Sequence, residues 1–262
     1  MSYLTLRYEE DGGIGVVTFA TPARLNAIDE ARLDELEAVL SAAEASDSLR
    51  ALILTGEGER AFCVGLDLAL LDKAFGDLDY FQTVVIRVSK IIARLEALSV
   101  PTLAAINGVT RAGGFEVSLG CDFVIVADEA DFGDAHTDSG VLPAAATTRL
   151  KRKIGDQKAK ALIWSARYLR GPEAVEWGLA IKSVPRSHLL AEAKAFLATM
   201  TDKPRAVIAA SKAVLQSSAD LTLAEAVSLE LSTFARYMRD EPYGREGYTA
   251  FREKRAPSWK AA

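Results

Sequence analysis

The chain has 262 residues, of which 50% are hydrophobic and 26% charged, and its formal net charge is -5. This composition excludes a disordered chain, leaves material for one large or two small domains, and lacks the basic excess of a nucleic-acid or anionic-membrane partner. No run approaches the roughly 18 consecutive apolar residues of a membrane helix, and Arg7, Glu9, Glu10 and Asp11 interrupt the N-terminus before a signal-peptide core.

In chain order, residues 15–20, 49–55, 102–107 and 121–127 read as strands, each short, rich in Val, Ile, Leu or Phe and bounded by Gly, Asn or Asp. Helical spacing lies between them. Leu33, Leu36, Val39, Leu40 and Ala43 form one stripe. Phe81, Val84, Val85, Val88, Ile91, Ile92, Leu95 and Leu98 form a longer one, ended before Pro101. Strands separated by helices predict parallel pairing through crossovers. From about Ser187 onward the pattern is almost all helix. Pro204 fits a first helical turn. Thr222 and Glu225 have the spacing of a capping box. The helix after Thr222 carries a broad apolar face that must pack on the core or on another subunit. Cys63 and Cys121 sit far apart in apolar runs and are expected as buried thiols of a cytosolic, cytoplasmic protein.

Two glycine turns follow strands: Phe62-Cys63-Val64-Gly65-Leu66-Asp67-Leu68 and Asn107-Gly108-Val109-Thr110-Arg111-Ala112-Gly113-Gly114-Phe115-Glu116. Glycines there either make a tight turn or let backbone N–H groups approach a ligand at a helix N-terminus. Neither turn has dinucleotide or Walker spacing. Glu116 falls among Phe115, Val117 and Leu119. A carboxylate desolvated in this way suits a group that both takes and gives a proton; the alternative is a solvent-facing or salt-bridged acid. His136 is flanked by Asp134 and Asp138 at two-residue spacing, which in an extended segment points all three to one face. The acids favour a protonated imidazole, hence a general acid; a metal site or a hydrogen-bonded structural histidine are the other readings.

These segments resemble the enoyl-CoA hydratase/isomerase (crotonase) superfamily along nearly the full length. The resemblance rests on Thr21-Pro22-Ala23-Arg24-Leu25-Asn26-Ala27, on the two glycine turns with Cys121-Asp122 after the second, on Gly171-Pro172-Glu173-Ala174 through Trp177-Gly178-Leu179, and on Phe251-Arg252-Glu253-Lys254-Arg255, in order. It implies an α/β fold, the ClpP-like crotonase spiral of ββα units. Residues 1–200 would form the core with an acyl-CoA site, and residues 201–262 a helical oligomerisation region giving a homotrimer or a hexamer of two trimers. It further implies an acyl-CoA thioester as substrate, with coenzyme A entering as part of the substrate and no other cofactor or metal. By the match, the N–H groups of Leu66 and Gly113 form the oxyanion hole for a thioester enolate. Arg24, Ala27, Val64, Asp67 and Leu68 lie along the CoA path, and Phe251 and Lys254 reach CoA from a neighbouring subunit.

The sequence departs from the pattern at one decisive place. Hydratases of the superfamily use two glutamates; Glu116 matches the first, and His136 stands where the second belongs. Pro143-Ala144-Ala145-Ala146-Thr147 also replaces the usual glycines. The expected activity is therefore a hydratase-like lyase with Glu116 as acid/base and His136 as proton donor or orienting group. The alternatives are an isomerase, decarboxylase or carbon–carbon hydrolase of the same superfamily, and a non-catalytic acyl-CoA-binding protein.

Overall fold

The computed structural model describes residues 3–259. The chain divides into two compact units, residues 1–197 and 198–262.

The first unit begins with a hairpin, β1 (Leu6–Asp11) and β2 (Ile14–Phe19), followed by α1 (Glu30–Ala45), β3 (Ala51–Gly56) and β4 (Ala61–Cys63). Next come α2 (Leu68–Gly76), α3 (Leu78–Ala97), β5 (Thr102–Ile106), β6 (Val109–Thr110) and α4 (Ala112–Leu119). Then follow β7 (Phe123–Ala127), β8 (Asp131–Phe132), α5 (Ala146–Ile154), α6 (Asp156–Ser165), β9 (Leu169–Arg170), α7 (Gly171–Glu176), β10 (Lys182–Val184) and the first part of α8 (Leu189–Thr201), within which the second unit begins at Ala198. One sheet has the order β1-β2-β3-β5-β7-β10 and a smaller one β4-β6-β8-β9. From β2 to β10 the large sheet is parallel, as strands joined through helices require. Its middle strands are buried on both faces, so they read as unbroken apolar runs.

The four strands expected from sequence are present, with shifted edges: Leu49 and Cys121 lie outside β3 and β7. Parallel pairing is not the whole arrangement. β1 pairs antiparallel with β2 at the sheet edge, and β9 pairs antiparallel with β8. The charged residues Glu9, Glu10 and Asp11 thus belong to an edge strand, where outward charge discourages pairing with another chain. The long apolar stripe splits by role. Val84, Val88, Ile91, Ile92 and Leu95 are buried, whereas Phe81 and Val85 face a cavity.

A buried cation shapes the turn between β2 and α1. Arg32 is 0% exposed, and its guanidinium donates to the Thr5 carbonyl at 2.9 Å, the Ala27 carbonyl at 2.8 Å, Thr21 Oγ1 at 2.7 Å and the Asn26 carbonyl. The turn it holds contains two left-handed residues, Leu25 (φ 52) and Asn26 (φ 57). Such a conformation in non-glycine residues persists only when the surroundings over-determine it. Asn26 completes the clasp, accepting from the Thr21 N–H at 3.1 Å and donating to the Ala61 carbonyl at 2.8 Å.

The second unit contains α9 (Arg205–Ser217), α10 (Leu223–Asp240) and α11 (Tyr243–Glu253). Pro204 stands one residue earlier than expected, at the N-cap of α9. The Thr222/Glu225 capping box is formed. Along α10, Leu223, Val227, Leu231, Phe234 and Met238 recur at helical spacing and are exposed. Arg255 grips Glu246 with two hydrogen bonds, 2.7 and 3.0 Å, behind the left-handed cap at Lys254. No helix among the described residues is long and apolar enough to cross a membrane.

Candidate active site

The first unit encloses a cavity of about 1060 Å³. Nine residues expected at the site line it: Arg24, Ala27, Val64, Leu66, Asp67, Leu68, Gly113, Glu116 and His136. Phe251 and Lys254, the other two, lie in the second unit, exposed on α11 and at its C-cap.

The two glycine turns bring backbone together. Gly65 has φ +92, and a β-carbon there would stand 3.0 Å from the Gly113 nitrogen. One at Gly113 would stand 3.4 Å from Gly65 Cα and 3.9 Å from the Leu66 nitrogen. At Gly114 it would meet the Cys63 carbonyl oxygen at 2.1 Å, so α4 can start against β4 only with glycine here. The Ile28–Leu66 bridge uses the Gly65 carbonyl (2.7 Å) and the Asp67 N–H (2.8 Å), leaving the Leu66 N–H outside it. Gly113 lies in the first turn of α4, where an N–H has no intrahelical acceptor. Among the described residues neither N–H meets a protein acceptor. Two free donors therefore stand side by side on the cavity, with the positive end of the α4 dipole behind one of them.

Glu116 is 5% exposed and has no Lys or Arg partner among the described residues. The solvent-facing and salt-bridged alternatives are thereby set aside. Its surroundings are not purely apolar, however. Oε1 accepts the N–H groups of Ala145 (2.7 Å) and Ala146 (3.1 Å), where the chain enters α5. Ala145 and Ala146 thus orient this carboxylate through their backbone.

His136 does not lie in an extended segment, and this corrects the one-face expectation. Ala135 is left-handed (φ 60), and residues 136–139 form a 3-10 turn. Asp138 is left exposed on the cavity wall, while Asp134 turns inward to 0% exposure. Asp134 Oδ1 lies 2.9 Å from His136 Nδ1, and Oδ2 accepts the His136 backbone N–H at 3.3 Å. One carboxylate oxygen each of Glu116 and Asp134 and one ring nitrogen of His136 lie within 4.8 Å of one another. The trio suggested by spacing is therefore replaced by one in which Glu116 takes the place of Asp138. Burial opposes charge on the imidazole, but the hydrogen bond and charge of Asp134, with the charge of Glu116, outweigh it. His136 is held above its usual range.

Arg24 bridges two helix caps. It donates to Asp29 Oδ2 at 2.7 Å and to Asp67 Oδ2 at 3.1 Å, and these carboxylates cap α1 and α2. Exposed ion pairs of this kind contribute only about 0–1 kcal/mol, so the guanidinium can be drawn to another anion at small cost. The opposite wall is apolar, built from Leu71 and Phe75 of α2 and Phe81, Val85 and Val88 of α3, with Phe75 and Phe81 edge to face at 5.1 Å. Sequence reasoning missed Arg60, Arg111 and Tyr168, which also line the cavity. Arg111 lies 4.6 Å above the Tyr168 ring. A cation inside the second glycine turn was a usable signal for Arg111; Tyr168 had none.

Comparison with known proteins gives the family and the fold. A family model described as enoyl-CoA hydratase/isomerase matches residues 9–262. A probable enoyl-CoA hydratase of Mycobacterium tuberculosis is 32% identical over 99% of both chains. A short-chain-enoyl-CoA hydratase of Clostridium acetobutylicum is 31% identical over 94% of both. The crystal structure of an enoyl-CoA hydratase from Bacillus anthracis superposes with a TM-score of 0.92 at 29% identity, covering 99% of this chain and 100% of that one. The spiral α/β fold expected from the resemblance is thus the fold found. This chain belongs to the enoyl-CoA hydratase/isomerase family of enzymes.

Proposed function

We propose that the protein is a hydratase-like lyase that adds water across the α,β double bond of an enoyl-CoA thioester. The observation that carries this reading is the juxtaposition, on one cavity, of the free Leu66 and Gly113 N–H groups with the Glu116–His136 pair. The thioester oxygen sits against the two N–H groups. Glu116 takes a proton from water as the water oxygen bonds to the β-carbon, and the π electrons move onto the thioester as an enolate. The two donors stabilise charge that exists only during reaction, each worth about 3–4 kcal/mol. The imidazolium of His136 then protonates the α-carbon. A proton passed from Glu116 to His136 restores both groups, and one water has been added. The apolar wall of α2 and α3 takes the acyl chain. Arg24 leaves its two carboxylates for a CoA phosphate, and Phe251 and Lys254 reach CoA from a neighbouring subunit.

Assembly into a homotrimer or a dimer of trimers follows the same reading and is supported by the exposed apolar stripe of α10. A cytoplasmic location fits the two buried free thiols. The imidazole in place of a second carboxylate favours one further reading, other enolate chemistry on acyl-CoA: isomerisation, decarboxylation or carbon–carbon hydrolysis.

The test is mass spectrometry of a panel of acyl- and enoyl-CoA thioesters incubated with the protein in deuterated water. The expected result is a gain of one water, with turnover about 10²–10⁴-fold lower in Glu116→Gln. Deuterium uptake without water, or loss of carbon dioxide or a chain fragment, moves the assignment to the second reading. Tight binding with no mass change on any thioester overturns catalysis in favour of a binding protein.

A further inference from the structure

We propose that Asp134 is the positioning residue of this site, committing Nδ1 of His136 to its carboxylate and pinning the head of the oxyanion helix through its backbone carbonyl. The inference rests on the acid–base roles proposed above for Glu116 and His136. A fully buried carboxylate requires hydrogen-bond donors or a cation. Among the described residues Asp134 has no Lys or Arg partner; its carboxylate meets only the imidazole at 2.9 Å and the His136 N–H at 3.3 Å. An ionised carboxylate only accepts, so Nδ1 must carry the proton between them. Nε2 is then the nitrogen left for the substrate. It donates while the ring is charged and accepts once the proton has gone, which lets one ring give a proton and regain it.

The backbone of the same residue serves the other half of the site. The Asp134 carbonyl accepts the Ala112 N–H at 2.7 Å. Ala112 is left-handed (φ 44) and immediately precedes Gly113, so this bond fixes the peptide plane adjoining the one that carries the Gly113 N–H. Beside it the Gly133 N–H bonds the Thr110 carbonyl at 3.2 Å, tying the two strands. Left-handed Ala135 folds the chain so that a carboxylate reaches a ring two residues on. Proton donor and oxyanion donor are thereby each held at one remove from a single residue.

Two measurements test this. The first reads the tautomer of His136 by nitrogen-15 NMR of the imidazole in the full chain. The chain has two histidines, and His188 is exposed, so His188→Gln leaves His136 as the one signal. The expected result is a protonated Nδ1 at every pH where the protein is folded, with deprotonation confined to Nε2. A neutral ring protonated at Nε2 and bare at Nδ1 overturns the proposal. This readout needs no turnover, so it stands apart from any failure of the enoyl-CoA assignment.

The second is Asp134→Asn, which keeps the shape and the backbone carbonyl but removes the charge. We expect kcat to fall about a hundredfold or more with KM within about threefold, and partial recovery in Asp134→Glu. The His136 titration midpoint moves to lower pH, because an adjacent negative charge is lost. The other charge acting on the ring is Glu116 of α4; Arg111, Asp138 and Tyr168 line the same cavity. None of these changes in the variant, so the shift reads Asp134 alone. Wild-type kcat and an unmoved midpoint overturn the proposal. Should Asp134→Asn fail to fold, the tautomer measurement decides.

Discussion

The loops bearing Leu66 and Gly113 offer the cavity backbone N–H groups, whereas the segment from Asp134 to Ala146 offers a side chain and orients another. In the loops, side-chain identity matters little at the donors and very much at the glycines packed behind them. In the second region His136 presents its side chain to the cavity, and Ala145 and Ala146 hold Glu116 through their backbone N–H groups. The pocket instead gathers side chains, an imidazole and its buried aspartate beside Glu116. Backbone donors survive substitution as long as the chain path is kept; a proton-transfer pair changes its chemistry with one residue.

Three variants break or sharpen this contrast. The largest effect is expected for Gly114→Ala, whose new methyl would meet the Cys63 carbonyl at 2.1 Å. Overpacking against backbone costs about 3 kcal/mol or more, and we expect a fall in Tm of about 10 °C or loss of soluble protein. A wild-type melting curve would show that the loops are less tightly apposed than described. His136→Ala comes next, with kcat about a hundredfold lower. In the wild type, activity should fall on the alkaline side as the imidazolium is lost, at a pH above 6.5; this limb should vanish in the variant. The same group links stability to pH. Its folded value is raised, so its contribution is fully present below its unfolded value of about 6.5 and is lost as pH rises through the folded value. Urea unfolding at acid and alkaline pH should show that dependence in the wild type and less of it in His136→Ala. The smallest effect belongs to Leu66→Ala, which keeps the N–H; kcat within about threefold is expected, and a loss like that of His136→Ala would mean the Leu66 side chain takes part.

Much of the large sheet was legible from residue pattern, because its parallel strands are apolar on both faces and flanked by turn residues. β1 was not, because only Leu6 of its six residues is buried and the rest of its pattern is that of a solvated segment. The strands of the small sheet have two or three residues, too short for any periodicity, and exist because the loops they belong to pair in space. Asp134 was visible only as a neighbour of His136. Nothing local announces that Ala135 takes a left-handed backbone, since alanine has no intrinsic preference for it. Arg32 likewise reads as an ordinary helix residue, and its burial under the Thr21–Ala27 turn follows from four acceptors that meet only in the folded chain.

The order of segments, the helical and strand periods, the two glycine turns and the types of residue offered for catalysis are properties of the chain itself, because each depends on neighbours a few positions away. Which groups meet was decided by tertiary structure. Leu66 and Gly113 are 47 positions apart and Glu116 and Ala145 are 29 apart, yet each pair meets on one cavity. The choice of Asp134 over Asp138 as partner of the imidazole was also made there. Both acids flank His136 equally in sequence, and only the folding of residues 134–139 against β6 and α4 buries one and leaves the other in solvent.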